Sequence, residues 1–258
     1  MSLEKPLRLL ARSARKIGLS ISRFPPPYSH AKQIREYLQQ MRINCVLDVG
    51  GYIGSFAHDL REGGFAGKII SFEPVPETFE KLRAKMGADP LWVGQPFGLS
   101  DSTGKVTINS YGSADFNSVL DLKESSAEAY GVDVSQARKV EIELRRLDEV
   151  LTDLIAGIAE PRIFLKMDTQ GHDLSVFAGA KGILNHILGL QSELPAVPLY
   201  DEVTPMWKCL EAYSAEGYVP IGFHSVNSFG DTFITPEFDV IFHRYDGQLT
   251  HLRPDQRE

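Results

Sequence analysis

The sequence predicts an α/β fold: a seven-stranded, mostly parallel sheet with an antiparallel last strand, helices on both faces, and an amphipathic helix in front of it. Three observations predict this. From Ser29 onward, short apolar runs alternate with segments of helical period. Those runs are apolar on both faces, as strands covered by helices are. The last two runs, 218–223 and 238–243, are joined by the turn region 227–231 with no helix between them, so they pair antiparallel.

The elements follow in chain order. Leu7, Leu10, Ala14 and Ile17 fall on one helical face and Arg8, Arg12 and Arg15 on another, so the first 24 residues read as a basic amphipathic helix, stopped by Pro25-Pro26-Pro27. Residues 1–28 are therefore taken as a helix and proline linker, and 29–258 as the folded domain. Ser29 caps a helix over 31–41, followed by strand one at 43–49, a Gly50–Gly54 turn into a helix that ends near Gly63-Gly64, strand two at 68–72 and a helix at 77–86. These are βαβ units with right-handed crossovers, which bind ligands at the carboxyl ends of the strands. Strand three is expected over 91–99. After the 101–104 turn signal, an added strand at 105–111 is expected to pair with another at 140–144. The polar excursion between them, 112–137, is the expected substrate-shaping loop. A helix at 148–157, strand four at 162–167, a helix at 174–186, strand five at 188–192 and a helix at 205–216 lead to strands six and seven.

Composition narrows the function. With 43% hydrophobic and 24% charged residues, the chain builds a real core and is neither disordered nor fibrous. No apolar run reaches the ~18 residues that span a bilayer and no secretory signal is visible, so a cytoplasmic protein is expected. Cys45 and Cys209 lack metal or dithiol spacing and read as reduced core residues. Residues 1–30 hold six basic side chains and one acidic, leaving 21 basic against 33 acidic in the remainder. An acidic body repels phosphate backbones, so nucleic acid is not expected as a partner. The basic helix, residues 1–24, has two readings: packing on its own domain or a second subunit, or lying on an anionic membrane surface.

Two segments carry the cofactor chemistry. Asp48-Val49-Gly50-Gly51-Tyr52-Ile53-Gly54 ends strand one and opens a helix, the place of a nucleotide-binding turn. Tyr52 stands where a dinucleotide fold wants glycine for close approach to a pyrophosphate, which disfavours NAD, and no phosphate-binding G-x-x-x-x-G-K-[ST] occurs. Glu73 ends strand two 25 positions after Asp48, placed to accept hydrogen bonds from ribose hydroxyls. A nucleoside without a diphosphate remains, and S-adenosylmethionine fits.

The strings VLDVGGYIGS, SFEPVPETF and FLKMDTQGHD, with LQSELP downstream, resemble the FkbM family of S-adenosylmethionine-dependent methyltransferases over roughly residues 44–244. The resemblance implies a Rossmann-like class I methyltransferase fold acting mostly on hydroxyl oxygens of sugars, glycolipids and small metabolites. It implies that Asp48, Gly50 and Gly54 contact the methionyl part of the cofactor and Glu73 its ribose. Gly51, Tyr52, Ser55, Pro74 and Asp168 complete that set. The Leu99-Ser100-Asp101 corner would lie by the adenine, with Asp101 meeting its amino group. Gln170 and Asp173 depart from the commoner Glu at both positions.

Lys166, Asp168, Gln170 and His172 cluster at the end of strand four, where the reacting centre belongs. Methyl transfer is an in-line displacement, so the main task is holding the acceptor oxygen on axis. His172, Asp168 and Lys166 are the catalytic candidates, and His172, with an ordinary pKa near 6.5, is the candidate base. Its alternative is a surface histidine at a helix start. Asp168 and Glu193 end neighbouring strands and are candidate Mg²⁺ ligands. Two acids do not make a site, and the alternative is that Asp168 caps the next helix while Glu193 bonds locally. The reading is O-methylation of a small-molecule or glycan hydroxyl. Its rivals are an NAD-dependent oxidoreductase and a non-catalytic methyltransferase-like scaffold.

Overall fold

A computed structural model describes residues 29–110, 118, 120, 122–130, 133, 135, 137–226, 234–245 and 247. The expected basic helix and proline linker, much of the 112–137 excursion and the 227–231 turn lie outside them. The described elements are α1 (His30–Gln40), β1 (Cys45–Val49), α2 (Ser55–Glu62), β2 (Lys68–Phe72), α3 (Pro76–Met86), β3 (Trp92–Gln95), β4 (Gly98–Leu99), β5 (Gly104–Ser110), α4 (Glu124–Tyr130), β6 (Arg138–Arg145), α5 (Leu147–Leu154), β7 (Ile163–Met167), α6 (Asp173–Ala178), a 3₁₀ turn (Lys181–His186), β8 (Ile187–Pro195), α7 (Met206–Ala215), β9 (Tyr218–Ser225) and β10 (Glu237–Arg244).

Seven strands form one sheet in the order β3-β2-β1-β7-β8-β10-β9. The first five are parallel, and β10 is antiparallel to both β8 and β9. The order reverses direction between β1 and β7, the switch point at which open α/β sheets bind ligands. β1 and β7 are buried along their whole length, which is why they read as unbroken apolar runs. The core lies on both sheet faces. Leu47, Phe72, Leu165, Tyr213 and Phe242 belong to one cluster, and Ile34, Val46, Ile69, Phe164 and Ile241 to the other. Cys45 and Cys209 are free thiols within the first.

Three expectations are corrected. Strand three is not continuous over 91–99. It stops at Gln95, because Pro96 has no N–H to give the ladder, and Gly98–Leu99 instead joins β6 in a separate three-stranded sheet, β4-β6-β5. The expected pairing of the added strands is found there, with β5 antiparallel to β6. The helix expected over 174–186 is two short pieces, because a side chain at Gly179 would run into the carbonyl oxygen of Ser100, and the chain turns at that contact. The excursion also contains a helix, α4, that sequence reading left as loop.

Candidate active site

The site forms where β1, β2, β7 and β8 end. Gly50 sits at φ 75°, and a Cβ there would strike the Asp168 carbonyl oxygen, so only glycine lets the β1 turn lie flat against the end of β7. The next turn residue, Tyr52, holds a strained φ of 48°. That conformation aims its N–H at Glu73 Oε2, 3.1 Å away, while Val75 N–H donates to Oε1 at 3.0 Å. The turn and the acid after β2 are thereby one unit. Glu73 is 7% exposed, and burial pushes its pKa up to about 7 against the opposing backbone hydrogen bonds. Each of its oxygens accepts one protein donor and keeps a lone pair, which is what a ribose diol requires. Gly51 is buried and Gly54 has φ 83°, so the turn backbone is the lining here. Ser55 opens α2 behind it and Pro74 leads from Glu73 toward α3.

Asp48 corrects an expectation. It is 0% exposed, with Oδ2 accepting from Ser71 Oγ at 2.9 Å and Oδ1 facing Lys166 Nζ at 3.2 Å. It therefore supports the turn from beneath and is not a direct ligand contact. Trp92 Nε1 donates to Ser71 Oγ at 3.0 Å and extends the chain to β3. Lys166, 4% exposed, also donates to Gly50 O at 3.0 Å and faces Asp168 Oδ2 at 3.4 Å. Burial opposes its charge, but the two carboxylates outweigh that and raise its pKa. One ammonium thus ties β1, the glycine turn and the mouth acid together. The Asp168 side chain is 38% exposed, the one member of this network open to a ligand.

Asp168 and Glu193 do converge, on a donor. Gln170 Nε2 lies 3.2 Å from Asp168 Oδ1 and 3.1 Å from Glu193 Oε2. Tyr200 O–H donates to Gln170 Oε1 at 2.7 Å and so turns the amide N–H groups toward the acids. Gln170 has φ 53° and its carbonyl accepts from Ser118 Oγ at 2.8 Å. An N–H donor occupies the place a cation between the two acids would take, and among the described residues no three His, Cys, Asp or Glu could hold a metal. The residues do not fit Mg²⁺ there, and no step below uses it. The alternative of Asp168 as a helix cap also fails, because α6 has no side-chain cap hydrogen bond; its first residue, Asp173, instead ties the preceding turn to β8, with Oδ1 accepting from Thr169 N and Oγ1 at 2.9 and 2.6 Å, and Oδ2 from Ser192 Oγ and Glu193 N at 2.7 and 3.1 Å.

His172 turns to the other side of the cleft. Its Nε2 is 2.9 Å from Ser100 Oγ, which donates to Asp101 Oδ1 at 3.1 Å. Burial lowers its pKa against the pull of Asp101, so the imidazole is neutral at pH 7. Its hydrogen bond goes to the Ser100–Asp101 corner, whereas Asp168, Gln170 and Glu193 bond to one another. Sequence reasoning missed Tyr200, Ser71 and Trp92 because none shares a motif with the residues it holds. It also missed Glu237 and Asp239 on β10, an acidic pair at i and i+2 whose register sets Asp239 opposite Glu193 and Glu237 opposite Pro195. A cavity of about 610 Å³ lies away from the turn, in the groove between α1 and α2, lined by Ile34, Leu38, Phe56 and Phe65. It contains none of the residues of the glycine turn or the β7 end. Among the described residues no helix is long and apolar enough to cross a membrane.

The family model for the methyltransferase FkbM domain matches residues 48–203. Methyltransferase sdnD of Sordaria araneosa is 28% identical over 154 residues, which cover 52% of this chain and 59% of that protein. The match thus takes in less than two thirds of that relative. Among solved structures, fibrillarin of Aeropyrum pernix in complex with natively bound S-adenosyl-L-methionine is similar with a TM-score of 0.46 and 11% identity, over 82% of this chain and 74% of that one. An rRNA methylase from Streptococcus thermophilus is similar with a TM-score of 0.43 and 10% identity, over 82% of this chain and 94% of that one.

Proposed function

The chain belongs to the FkbM methyltransferase family, and on that premise we propose that it moves a methyl group from S-adenosylmethionine to a hydroxyl oxygen of a small molecule or glycan. The observation that carries this reading is the junction at Gly50: one turn touches the ribose-type acid Glu73 through Tyr52 N–H and the exposed acid Asp168 through its close backbone approach. A nucleoside held by the first acid presents its far end to the second.

The cofactor fits the residues present. Glu73 would hold the ribose, the Gly50–Gly54 backbone the amino-acid end, and Ser100 with Asp101 the base. When bound it supplies a methyl group on a positively charged sulfur, which leaves as a neutral thioether. The chain's own work is positional. Asp168, fixed by Lys166 and Gln170, accepts a hydrogen bond from the acceptor hydroxyl, aligns its lone pair and takes its proton as the new C–O bond forms. Lys166 holds Asp168 in place. His172 secures the Ser100–Asp101 corner, a role different from the base that its sequence position suggested.

Titration calorimetry with S-adenosylmethionine, S-adenosylhomocysteine and NAD tests the reading. Binding of the first two and not the third is expected, and Glu73→Ala should remove it. NAD binding alone would favour an oxidoreductase, and silence from all three would leave a family-like scaffold without catalysis.

A further inference from the structure

Beside Asp168 the sheet carries a row of acids that the methyl-transfer chemistry does not use. Asp239 on β10 pairs in register with Glu193 on β8 and with His224 on β9. Glu237 lies two residues from Asp239, opposite Pro195, so it projects from the same face. Glu193 and Glu237 are 8% and 6% exposed. Asp239 accepts from Gln191 Nε2 at 2.9 Å and lies 3.8 Å from His30 Nδ1. Glu237 is different: among the described residues its carboxylate has neither a hydrogen bond nor an ion pair, although it is more than nine-tenths buried.

The oxygens of Glu237 are not among the fully buried ones, so the carboxylate meets the solvent of the cleft, an acceptor that the protein itself leaves unfilled and a ligand can fill. The charge it lacks is positive. Burial, and then Asp168, Asp173 and Asp239, push Glu237 up to about 7, while burial and Asp168 push Asp239 up to about 6. The cationic side chain in this network, Lys166, is engaged by Asp48 and Asp168. His30 and His224 stack at 5.0 Å at the edge of the row, and burial lowers the pKa of both, so neither supplies a charge at neutral pH. The missing cation is not a metal ion on this geometry, since among the described residues no three ligating side chains converge on one point. Spread along two strands, the acids suit a larger, organic cation.

We propose that the acceptor carries an ammonium group, and that Glu237 with Asp239 and Glu193 binds it while its hydroxyl lies at Asp168. The inference rests on the methyl-transfer reading and deepens it by naming the acceptor class: an amino alcohol or amino sugar. Because β8 lies between β7 and β10, amine and hydroxyl would stand one to two strand spacings apart, about 5–10 Å. Binding the amine draws the proton off Glu237, so association releases protons to the buffer.

The test uses the full chain and matched probes that differ in one amine and are long enough to span the two anchors: 5-amino-1-pentanol and 1,5-pentanediol, 6-amino-1-hexanol and 1,6-hexanediol, glucosamine and glucose. Release of S-adenosylhomocysteine from S-adenosylmethionine is followed for each, and binding to the protein saturated with S-adenosylhomocysteine is titrated in two buffers of different ionisation enthalpy. The amine member of a pair should be preferred at least about tenfold in kcat/KM, with proton release. Glu237→Gln should raise KM about tenfold with little change in kcat and abolish the proton release, while S-adenosylhomocysteine affinity and melting confirm the fold. Asp239→Asn gives a second reading of the same loss. Preference for the neutral members, an unaffected Glu237→Gln, proton release by MgCl₂ in place of the amines, or cofactor binding with no response to any amine would each overturn the proposal. Failure to bind S-adenosylhomocysteine at all would overturn the methyl-transfer reading instead, and this inference with it.

Discussion

Replacing Lys166 with Met removes the ammonium that joins Asp48, Gly50 and Asp168 and keeps most of its apolar stem. The structure sets the size of the effect. Nζ lies 3.2 Å from the fully buried Asp48 and 3.4 Å from Asp168, so the substitution orphans a carboxylate that water cannot reach. Breaking one side of such a buried pair costs about 3–5 kcal/mol, against a net stability of about 5–15 kcal/mol for a whole domain. At about 2–4 °C per kcal/mol for a chain of this size, the melting midpoint should fall by roughly 6–20 °C. Adding Asp48→Asn removes the orphan charge and should recover half or more of the loss. Urea denaturation of both single variants and the double variant measures this. A Lys166→Met cost under about 1 kcal/mol, or single effects that add within about 0.5 kcal/mol, would refute the view that this ammonium holds the site together.

Gly50→Ala places a Cβ against the Asp168 carbonyl at φ 75°; we expect a loss of about 2–4 kcal/mol and of cofactor binding together, and normal binding in calorimetry would contradict the close-approach argument. Gln170→Glu turns the donor between Asp168 and Glu193 into a third acid; stability at pH 8 should drop by about 2–3 kcal/mol and recover toward pH 5.5, and a pH-independent urea midpoint would count against the bridge. Glu237 holds its proton to a higher pH folded, about 7, than unfolded, about 4.5, so it weakens the cofactor-free fold increasingly as pH rises through that window. Glu237→Gln should therefore match the wild type near pH 4 and exceed it by up to about 3 kcal/mol above pH 7, and a constant difference in melting across pH would disprove the assignment. His172→Ala should weaken S-adenosylhomocysteine binding about tenfold with a smaller fall in kcat, since its hydrogen bond goes to Ser100; loss of kcat at unchanged affinity would restore it as the base.

What the sequence made legible was whatever depends on neighbours along the chain. The succession of strands and helices along the chain, the glycine turn and Glu73 at the end of β2 follow from apolar runs and from turn residues at fixed offsets. Asp48 was visible as a residue, but its burial was not, because the ammonium facing it comes from β7, 118 positions away. Gln170 was seen as a lost charge, whereas its action as a bridge needs a positive φ and Tyr200, neither of which a motif records. The split at Pro96 was readable from that proline alone and was passed over in favour of the apolar run on either side. Glu237 and Asp239 stayed hidden because a strand's face is set by its partner's register, and a shift of one residue would have turned both away from Glu193.

The place of β10 between β8 and β9 bears on how the protein is made. While the ribosome is still adding residues before Glu237, the parallel half can assemble, yet β8 has an open edge and β9 has no companion strand. Only when the chain has passed Arg244 are both edges joined. A premature stop a few codons earlier would leave two hungry strand borders on an otherwise formed domain, an invitation to pair with another molecule.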